Sequence, residues 1–498
     1  MKKSLIFLLL VVPFFIFGQR GQRQQNTNEF HNRDFWETQP NVAIVKQKIK
    51  EGHDPVAKDQ RSFDAVSYAI LGKAPIETVE FLLSFEGNDI NKTTNHDRTY
   101  LLWAGSTGDL EIMKMLINKG ADTKVLDSHS MNWYTYTLNF GHENTGIYDF
   151  IEDNGFDLKQ PNRAGANAIL LLASHSKDGE IFKYFIEKGL DVNATDNKGN
   201  NFLFYAAKRG NIDLIKKYVN EGFDYKTLNS DGENLMLAAS HGGRRGSNPI
   251  AVFQYFDTLG IDMTATSNNG ANALHNIVSS TEDVNIINFF IQKGIDINQK
   301  DKDGNTPFLN AAKGNNLVVL EKLLPLTKNI NQQNNDGLSA ITYATQRIGI
   351  ETFNFLKDNG ADVHVIDKDG NNLFYYLFNA HNRRNSENFE TFQKALTTAG
   401  VSFKNASKIE PPLHIAIVKG DMKLIETALD LGADINKTNS DGLTPLHLAA
   451  MKSTDTKLLQ FLISKGANKK SLTAFEESVL DLAQENELLN GSDISFLK

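Results

Sequence analysis

A glycine followed two residues later by an aspartate recurs along almost the whole chain at a nearly constant interval. The pairs are Gly52/Asp54, Gly87/Asp89, Gly120/Asp122, Gly155/Asp157, Gly189/Asp191, Gly222/Asp224, Gly260/Asp262, Gly294/Asp296, Gly360/Asp362 and Gly432/Asp434, with degenerate copies at Thr327, Gly400/Ser402 and Gly466/Asn468. Successive anchors are 32 to 40 residues apart. A period of this length predicts a solenoid in which each repeat packs only on its neighbours.

The sequence before the last anchor indicates how one repeat folds. Asp441-Gly442 is a turn signal, Thr444 is suited to cap a helix, and Pro445 fits the first helical position. Two apolar runs follow at helical spacing, over residues 446–450 and 458–463. Gly466 then ends the second helix, because glycine readily adopts the left-handed conformation found there. Each unit is therefore predicted to be turn, helix, turn, helix.

Three segments carry a resemblance to a known family. They read TPLHLAA (Thr444–Ala450), PPLHIAIVKGD (Pro411–Asp421) and DKDGNTPFLNAA (Asp301–Ala312). With their Gly-Ala-Asn or Gly-Ala-Asp endings, these segments resemble the ankyrin repeat. The resemblance extends from about residue 41 to the C-terminus. It implies an all-α ankyrin-repeat solenoid of about 13 helix-turn-helix units, with short β-hairpin-like turns and capping ends.

The repeats depart from the family signature in their first helices. The full Thr-Pro-Leu-His motif occurs only at Thr444–His447, while His275, Pro307 and His414 stand in partial copies. Central units carry aromatic residues instead, as in NFLFYAA and NLFYYLF. The apolar positions persist, so we expect these aromatics to pack in the core and the stacking to be retained.

The two ends of the array differ from its interior, as solenoid ends must to cover an apolar face. We predict an N-terminal capping segment at 33–52, the repeat array at 53–470 and C-terminal capping helices at 471–498. The last part contains two candidate helices, Ser478–Glu485 and Ile494–Leu497. The polar stretch 19–32 is predicted to be a disordered spacer.

Residues 1–18 have the pattern of a secretory signal peptide. Two lysines precede a thirteen-residue apolar run, Leu5–Phe17, and Gly18 provides a small residue for cleavage. An uncleaved membrane anchor is the alternative, although the run is short for a bilayer span. The chain has no cysteine, so a lipid anchor is not supported. We expect export from a Gram-negative bacterium to the periplasm or beyond, with no membrane span after signal cleavage.

Composition excludes several kinds of function. The absence of cysteine rules out disulfides, thiolate nucleophiles and cysteine zinc sites. A formal net charge of −8 disfavours nucleic-acid binding. DKDGN at Asp301–Asn305 and Asp367–Asn371 resembles the start of a calcium loop but lacks its glycine and glutamate, so we interpret it as a turn. We therefore predict no metal, no cofactor and no enzyme activity. A catalytic site built from ordinary residues across repeats is the less favoured alternative.

The resemblance implies that the inner ends of the first helices and the hairpin tips form a concave surface that binds protein. Basic and histidine side chains occupy these positions and the two longest inter-helix segments. The predicted partner-binding residues are His175, Lys208, Arg209, His241, Arg244, Arg245, Lys313, Arg347, His381, Arg383, Arg384, Lys419 and Lys452. We predict a basic groove for an acidic partner, with binding that weakens as salt rises. The alternative is a set of solvated helix ends whose cations favour the helix dipole.

Two similar octapeptides lie in the two longest units. HGGRRGSN is His241–Asn248 and HNRRNSEN is His381–Asn388, in units of 38 and 40 residues. Each is predicted to be a loop between first and second helix, four repeats apart on one edge. One hypothesis is that the two arginine pairs clamp an extended acidic partner. The alternative is tolerated loop length with solubilising charge.

The sequence thus predicts a non-enzymatic, monomeric module that binds or scaffolds another protein. Two more specific roles are open. One is an accessory factor for a companion enzyme in the periplasm, and the other is a secreted effector acting on a host or competitor.

Overall fold

The computed structural model describes residues 28–243, 246–382 and 384–498. The predicted signal peptide, Arg244, Arg245 and Arg383 lie outside the described residues. Two compact units are present: one contains the described residues up to Leu172 together with Glu180–Val192, and the other contains Ala173–Gly179 and Asn193–Lys498. In the described ranges there are 27 α-helices, five 3-10 helices and only isolated β-bridges.

The first unit contains ten α-helices. They are α1 (Arg33–Glu37), α2 (Val42–Lys50), α3 (Ala65–Leu71), α4 (Ile76–Leu83), α5 (Tyr100–Thr107), α6 (Leu110–Asn118), α7 (Trp133–Leu138), α8 (Thr145–Asp153), α9 (Ala168–Leu172) and α10 (Glu180–Glu187). 3-10 helices at Glu29–His31 and Asn95–Asp97 accompany them.

The second unit contains the other seventeen. They are α11 (Phe202–Lys208), α12 (Ile212–Asn220), α13 (Leu235–Ser240), α14 (Ile250–Thr258), α15 (Ala273–Ile277), α16 (Val284–Gln292), α17 (Pro307–Lys313), α18 (Leu317–Leu323), α19 (Ala340–Gln346), α20 (Ile350–Asp358), α21 (Leu373–Ala380), α22 (Ser386–Thr398), α23 (Pro412–Lys419), α24 (Met422–Asp430), α25 (Pro445–Lys452), α26 (Lys457–Ser464) and α27 (Val479–Glu485). Its 3-10 helices are Leu324–Leu326, Glu487–Leu489 and Ser495–Leu497.

The helices form thirteen consecutive pairs from α1 to α26, and each pair precedes one of the periodic anchors. Within each unit, the first helix of a pair packs on the first helix of the next, as α3 does on α5 and α11 does on α13. The predicted all-α solenoid is confirmed, and so is the number of repeats predicted from the period. Among the described helices, none is both long and apolar enough to cross a membrane.

The signals in the last repeat have the predicted effect. The Thr444 side chain accepts a hydrogen bond from the backbone N–H of His447, and Pro445 is the first residue of α25. Gly466 follows α26 with φ 99°, in the left-handed region. The adjacent alanines Ala449 and Ala450 are fully buried, which allows neighbouring first helices to approach closely.

The Asp-x-Asp-Gly-Asn segments are turns, as predicted. One carboxylate oxygen of Asp301 accepts the backbone N–H groups of Asp303 (3.0 Å) and Asn305 (2.8 Å). Asp367 accepts those of Asp369 and Asn371 in the same way. These carboxylates fold their own loop, a common role of aspartate in turns.

Backbone hydrogen bonds join successive turns of the second unit. The N–H of Lys302 donates to the carbonyl of Asn269 (2.7 Å), and the N–H of Asn335 donates to that of Asp303 (2.8 Å). The N–H of Lys368 continues the series to Asp336 (3.1 Å). The turns therefore form a connected ladder beside the first helices.

The histidines at repeat-equivalent positions are structural. The rings of His275, His414 and His447 each contact a backbone carbonyl of the following repeat through Nε2, at 3.0 to 3.2 Å. Nδ1 of His447 accepts the backbone N–H of Thr444 (3.2 Å). The corresponding atom of His414 is buried without a partner, because Pro411 stands at the position of Thr444 and has no N–H.

Asparagine takes over this role where the Thr-His pair is missing. The Asn234 side chain caps α13 and donates to the carbonyl of Asp262 (3.0 Å), and Asn372 caps α21 and donates to that of Ser402 (2.7 Å). The aromatic residues that replace the family motif lie in the core, since Phe202 of α11 and Phe374 of α21 are each 1% exposed.

A second asparagine position connects several repeats to the one before. Nδ2 of Asn211 donates to the carbonyls of Ala173 (3.0 Å) and Ser176 (2.6 Å), just before α12 begins. Asn316 and Asn486 make equivalent pairs of hydrogen bonds. Each of these side chains satisfies carbonyls left free near the end of a preceding first helix.

The predicted boundary of the N-terminal spacer is wrong. Residues 28–32 belong to the folded cap, because Phe30 is fully buried against Phe35 and Trp36. The indole N–H of Trp36 also donates to the carbonyl of Phe30 (2.9 Å). Burial of this aromatic residue outweighs the polar composition around it. At the other end, α27 matches the first predicted capping helix, and the second is only the 3-10 turn Ser495–Leu497.

Candidate protein-binding groove

The predicted basic residues of the second unit occupy equivalent places at the ends of first helices. Lys208, Lys313, Lys419 and Lys452 are the last residues of α11, α17, α23 and α25, while Arg209, His241 and Arg347 directly follow α11, α13 and α19. All seven are exposed. His175 is also exposed, on the segment Ala173–Gly179.

A groove of about 830 Å³ lies along α11, α13 and the turns beside them. Lys208 and His241 line it from the helix side, and Lys198, Asp231 and Glu233 line it from the turns. We call this region the mixed groove, because it holds carboxylates and cations together.

Two of the basic side chains that line the mixed groove, Lys198 and His241, are paired with turn carboxylates. Nζ of Lys198 lies 2.7 Å from Asp231, and Nε2 of His241 lies 2.7 Å from Glu233. Burial acts to raise the pKa of Glu233, but the hydrogen bond and charge of His241 outweigh it, so that pKa is lowered. A paired cation contributes less to the attraction of an acidic partner.

A third carboxylate in the mixed groove is used by the fold. Asp196 accepts the backbone N–H groups of Lys198 and Asn200, both at 2.9 Å, and the hydroxyl of Tyr205 at 2.9 Å. Burial, with this hydrogen bond, raises the pKa of Tyr205. The predicted groove of one sign is therefore wrong here, because the turns supply acidic groups that the ends of the helices do not.

The next groove along the same unit has a different character. It has a volume of about 520 Å³ and is lined by His275, Ser279, Asn310, Lys313, Gly314 and Arg347. No carboxylate is among these lining residues. We call this region the cationic groove.

Lys313 and Arg347 are fixed to each other's helices in the cationic groove. Nε of Arg347 donates to the backbone carbonyl of Lys313 (2.8 Å), and Nζ of Lys313 lies 5.8 Å from the centre of the Tyr343 ring in α19. Among the described residues, neither cation forms an ion pair. Both side chains are thus positioned by the fold with their charges uncompensated.

Two predicted partner-binding residues are instead part of the packing around α21 and α23. The side chain of His381 is only 7% exposed, lies against Phe389 and pairs with Asp421 at 3.0 Å. Nζ of Lys419 donates to the carbonyls of Asn379 and His381, both at 2.8 Å, and burial lowers the pKa of Lys419. His381 therefore presents little surface to a partner.

The described residues of His241–Asn248 lie between α13 and α14, as predicted, and α14 begins in register with the repeat before. Gly243 and Gly246 exchange backbone hydrogen bonds of 3.0 and 3.1 Å. Asn248 then takes the position of Asn211 in the repeat before, donating to the carbonyls of Ala207, Lys208 and Ala239. The chain is thus brought back between Gly243 and Gly246 before the second helix begins.

The segment His381–Asn388 is not a matching loop, and this part of the prediction is wrong. Ser386–Asn388 are already in α22, which has 13 residues where α20 has nine. The additional length of this unit extends the second helix, since Phe389, Phe392 and Leu396 give it an apolar face to bury. Arg384 is exposed, before α22 begins.

Other kinds of site find no support in the part of the chain that the structure describes. There is no group of three or more His, Asp or Glu side chains that could hold a metal ion. The residues predicted from the sequence did not include the carboxylates Asp231 and Glu233. An alignment of the repeats would have revealed them. Asp231 and Glu233 lie two and four residues after Asn229, the turn positions that Lys198 and Asn200 occupy after Asp196.

Helix pairs, turn ladder and groove together define the class of protein. The chain belongs to the ankyrin-repeat family. The model of ankyrin repeats in three copies matches residues 38–127, 169–248, 235–329 and 274–367, which is more than half of the chain. The model of ankyrin repeats in many copies matches residues 413–463.

Individual relatives match over parts of their length. Regulatory protein NPR4 of Arabidopsis thaliana is 34% identical over 100 residues, which are 20% of this chain and 17% of that protein. Alpha-latroinsectotoxin-Lt1a of Latrodectus tredecimguttatus is 22% identical over 428 residues, covering 81% of this chain and 29% of the toxin. The chain thus spans less than a third of either relative.

A solved structure similar to the chain is the ankyrin repeat domain of human ASB11. It aligns with 44% of this chain and 95% of its own, at 20% identity and a TM-score of 0.35. Ankyrin repeats indicate a protein–protein interaction module, and the architecture is typically non-enzymatic.

Proposed function

We propose that the chain is an exported scaffold that binds an acidic segment of another protein along the groove of its second unit. The observation that carries the proposal is the recurrence of exposed cations at equivalent helix ends. Lys208 and Arg209 at α11, Lys313 at α17, Arg347 at α19 and Lys452 at α25 all have this place. Packed helices lie about 10 Å apart, so the partner would extend across several repeats.

Electrostatic attraction of this kind has a defined consequence for binding. Exposed charges act over about 10 Å at ordinary salt, and added salt screens them. The cations therefore mainly accelerate encounter and select an acidic partner, while apolar contacts contribute most of the affinity. The grooves bind no substrate in this proposal, and the module performs no catalysis.

The test is affinity capture with the full chain from the envelope fraction of its own cells. A groove variant would combine Lys208→Gln, Arg209→Gln, Lys313→Gln and Arg347→Gln. The control would remove the same charge from second helices with Lys216→Gln, Lys357→Gln, Lys394→Gln and Lys465→Gln. All four control lysines are exposed.

We expect one protein to be captured in stoichiometric amount by the natural chain and by the control. The groove variant should lose it, and higher salt should release it progressively. Equal capture by the groove variant would refute the proposal. Capture that does not change with salt would refute the electrostatic part of it.

Export is tested separately by fractionating the cells and sequencing the N-terminus of the isolated protein. The signal-peptide pattern of residues 1–18 supports a mature chain that starts near residue 19, in the periplasm or the medium. Recovery of the chain with Met1 in the membrane fraction would support the anchor instead.

A further inference from the structure

We infer that Lys313 and Arg347 form a subsite for one carboxylate side chain, glutamate or aspartate, of the partner protein. The inference rests on the proposed function and names the place where the acidic segment is anchored. It distinguishes this subsite from the other basic positions of the groove.

The two cations are arranged for a shared anion. Arg347 follows α19 and donates through Nε to the backbone of Lys313, which leaves the two terminal nitrogens of the guanidinium for a ligand. Lys313 at the end of α17 is directed toward the same helix, since its Nζ lies 5.8 Å from the Tyr343 ring. The hydrogen bond of Arg347 holds part of its side chain before a ligand binds, which reduces the entropic penalty of binding.

The surroundings favour an incoming carboxylate over an internal one. The lining residues of the cationic groove include no acidic group, and Ser279 adds an exposed hydroxyl that can donate. In the mixed groove, by contrast, Asp231 and Glu233 already pair with Lys198 and His241. A partner carboxylate at Lys313 and Arg347 displaces no existing ion pair.

The chemistry of the donors indicates a carboxylate. A planar guanidinium matches the two oxygens of a carboxylate, and the ammonium adds a second charge. His275 contributes no positive charge near neutral pH, because it is buried at the base of the groove and burial lowers its pKa. Two cations and one hydroxyl are therefore the donors that the groove offers to a carboxylate.

The subsite can be tested with defined probes. Fluorescent heptaglutamate, heptaglutamine and heptalysine would be titrated with the full chain, and anisotropy measured. We expect only heptaglutamate to bind, and Lys313→Gln or Arg347→Gln to weaken it roughly two- to fivefold each, as expected for one charge contact at a surface. Arg347→Lys should give an intermediate loss, because it keeps the charge but not the planar fork.

The matched control is Lys357→Gln, an exposed lysine on α20 in the same repeat as Arg347. Its affinity should equal that of the natural chain. Circular dichroism and urea unfolding of each variant exclude loss of fold as the cause. A natural chain that does not bind heptaglutamate, or a Lys313→Gln/Arg347→Gln double variant that binds it normally, overturns the inference.

Two further outcomes separate possible causes. If inorganic phosphate displaces heptaglutamate at far lower concentration than acetate does, the subsite takes phosphate and the carboxylate assignment is refuted. If heptaglutamate binding depends on the two cations but capture of the cellular partner does not depend on the groove, the subsite stands and the proposed function fails. The reverse result refutes the subsite and leaves the proposed function intact.

Discussion

The mixed groove and the cationic groove are neighbours on one face of the second unit, yet their basic side chains differ in whether they form ion pairs. In the first, His241 is paired with Glu233 and Lys198 with Asp231. In the second, Arg347 donates to a backbone carbonyl and Lys313 lies near an aromatic ring, and neither forms an ion pair with a described residue. A basic residue at a groove position therefore does not by itself show that the groove has a net positive charge.

One turn position explains much of this difference. Glu233 is the fifth residue of the turn before α13, and the same position before α17 is Asn305. The carboxylate reaches His241, whereas the carbonyl of Asn305 contacts His275 and its side chain bonds to other turn residues. A single neutral side chain in the turn thus leaves the neighbouring cations available.

The largest expected effect concerns the loop that only the mixed groove has. Asn248 is 6% exposed and its amide donates to three backbone carbonyls. Asn248→Ala should lower the free energy of unfolding by about 2–3 kcal/mol, because buried carbonyls lose their donor. Urea unfolding measures this, with exposed Asn220→Ala as the control. Equal stability of the two variants would contradict a bridging role for Asn248.

A smaller effect is expected from the backbone of the same loop. Gly242 has φ 61°, and a Cβ there would lie 2.4 Å from the carbonyl oxygen of Gly246. Gly242→Ala should cost about 1–2 kcal/mol through strain at this position. Gly260→Ala is the informative comparison, since Gly260 has φ 69° but no heavy atom near its Cβ position. If both substitutions have the same effect, the close contact in the loop is unimportant.

The cationic groove has a pH-dependent component of its own. Burial lowers the pKa of His275, so below about pH 6.5 the unfolded chain binds a proton that the folded chain does not. Stability should therefore fall as pH decreases from 7 toward 5. His275→Gln should flatten this dependence in urea unfolding series at several pH values. An unchanged pH profile in the variant would show that other groups, such as His414, dominate.

The smallest effect would come from making the two grooves alike. Glu233→Gln removes a surface-accessible ion pair, which is worth no more than about 1 kcal/mol, and so the fold should persist. The mixed groove would gain net positive charge, and binding of heptaglutamate should strengthen about two- to threefold. Anisotropy titration measures this, and weaker binding would show that Glu233 positions His241 for the ligand.

Several elements could be predicted from the sequence because their causes are local. The anchor glycines, the Thr444 cap and the Asp301 turn each depend on residues within a few positions along the chain. Because these local features recur with the period, they predict a series of helix pairs. The ankyrin-repeat model matches residues 38–127 and overlapping ranges within 169–367. The prediction of disorder for residues 28–32, which was based on composition, was wrong because the buried aromatic residue Phe30 makes this segment part of the fold.

The sequence by itself determined the all-α solenoid, its number of repeats and the placement of basic residues at the ends of first helices. Only the tertiary structure decided which of those residues are exposed without an internal charge partner among the described residues. His381 is buried against Asp421, which is 40 residues away, while Lys313 and Arg347 from successive repeats share one groove. The physical reason is that charges such as those of Lys198 and His381 are compensated from the next repeat, by Asp231 and Asp421 about one period away, whereas sequence patterns specify the structure within a repeat.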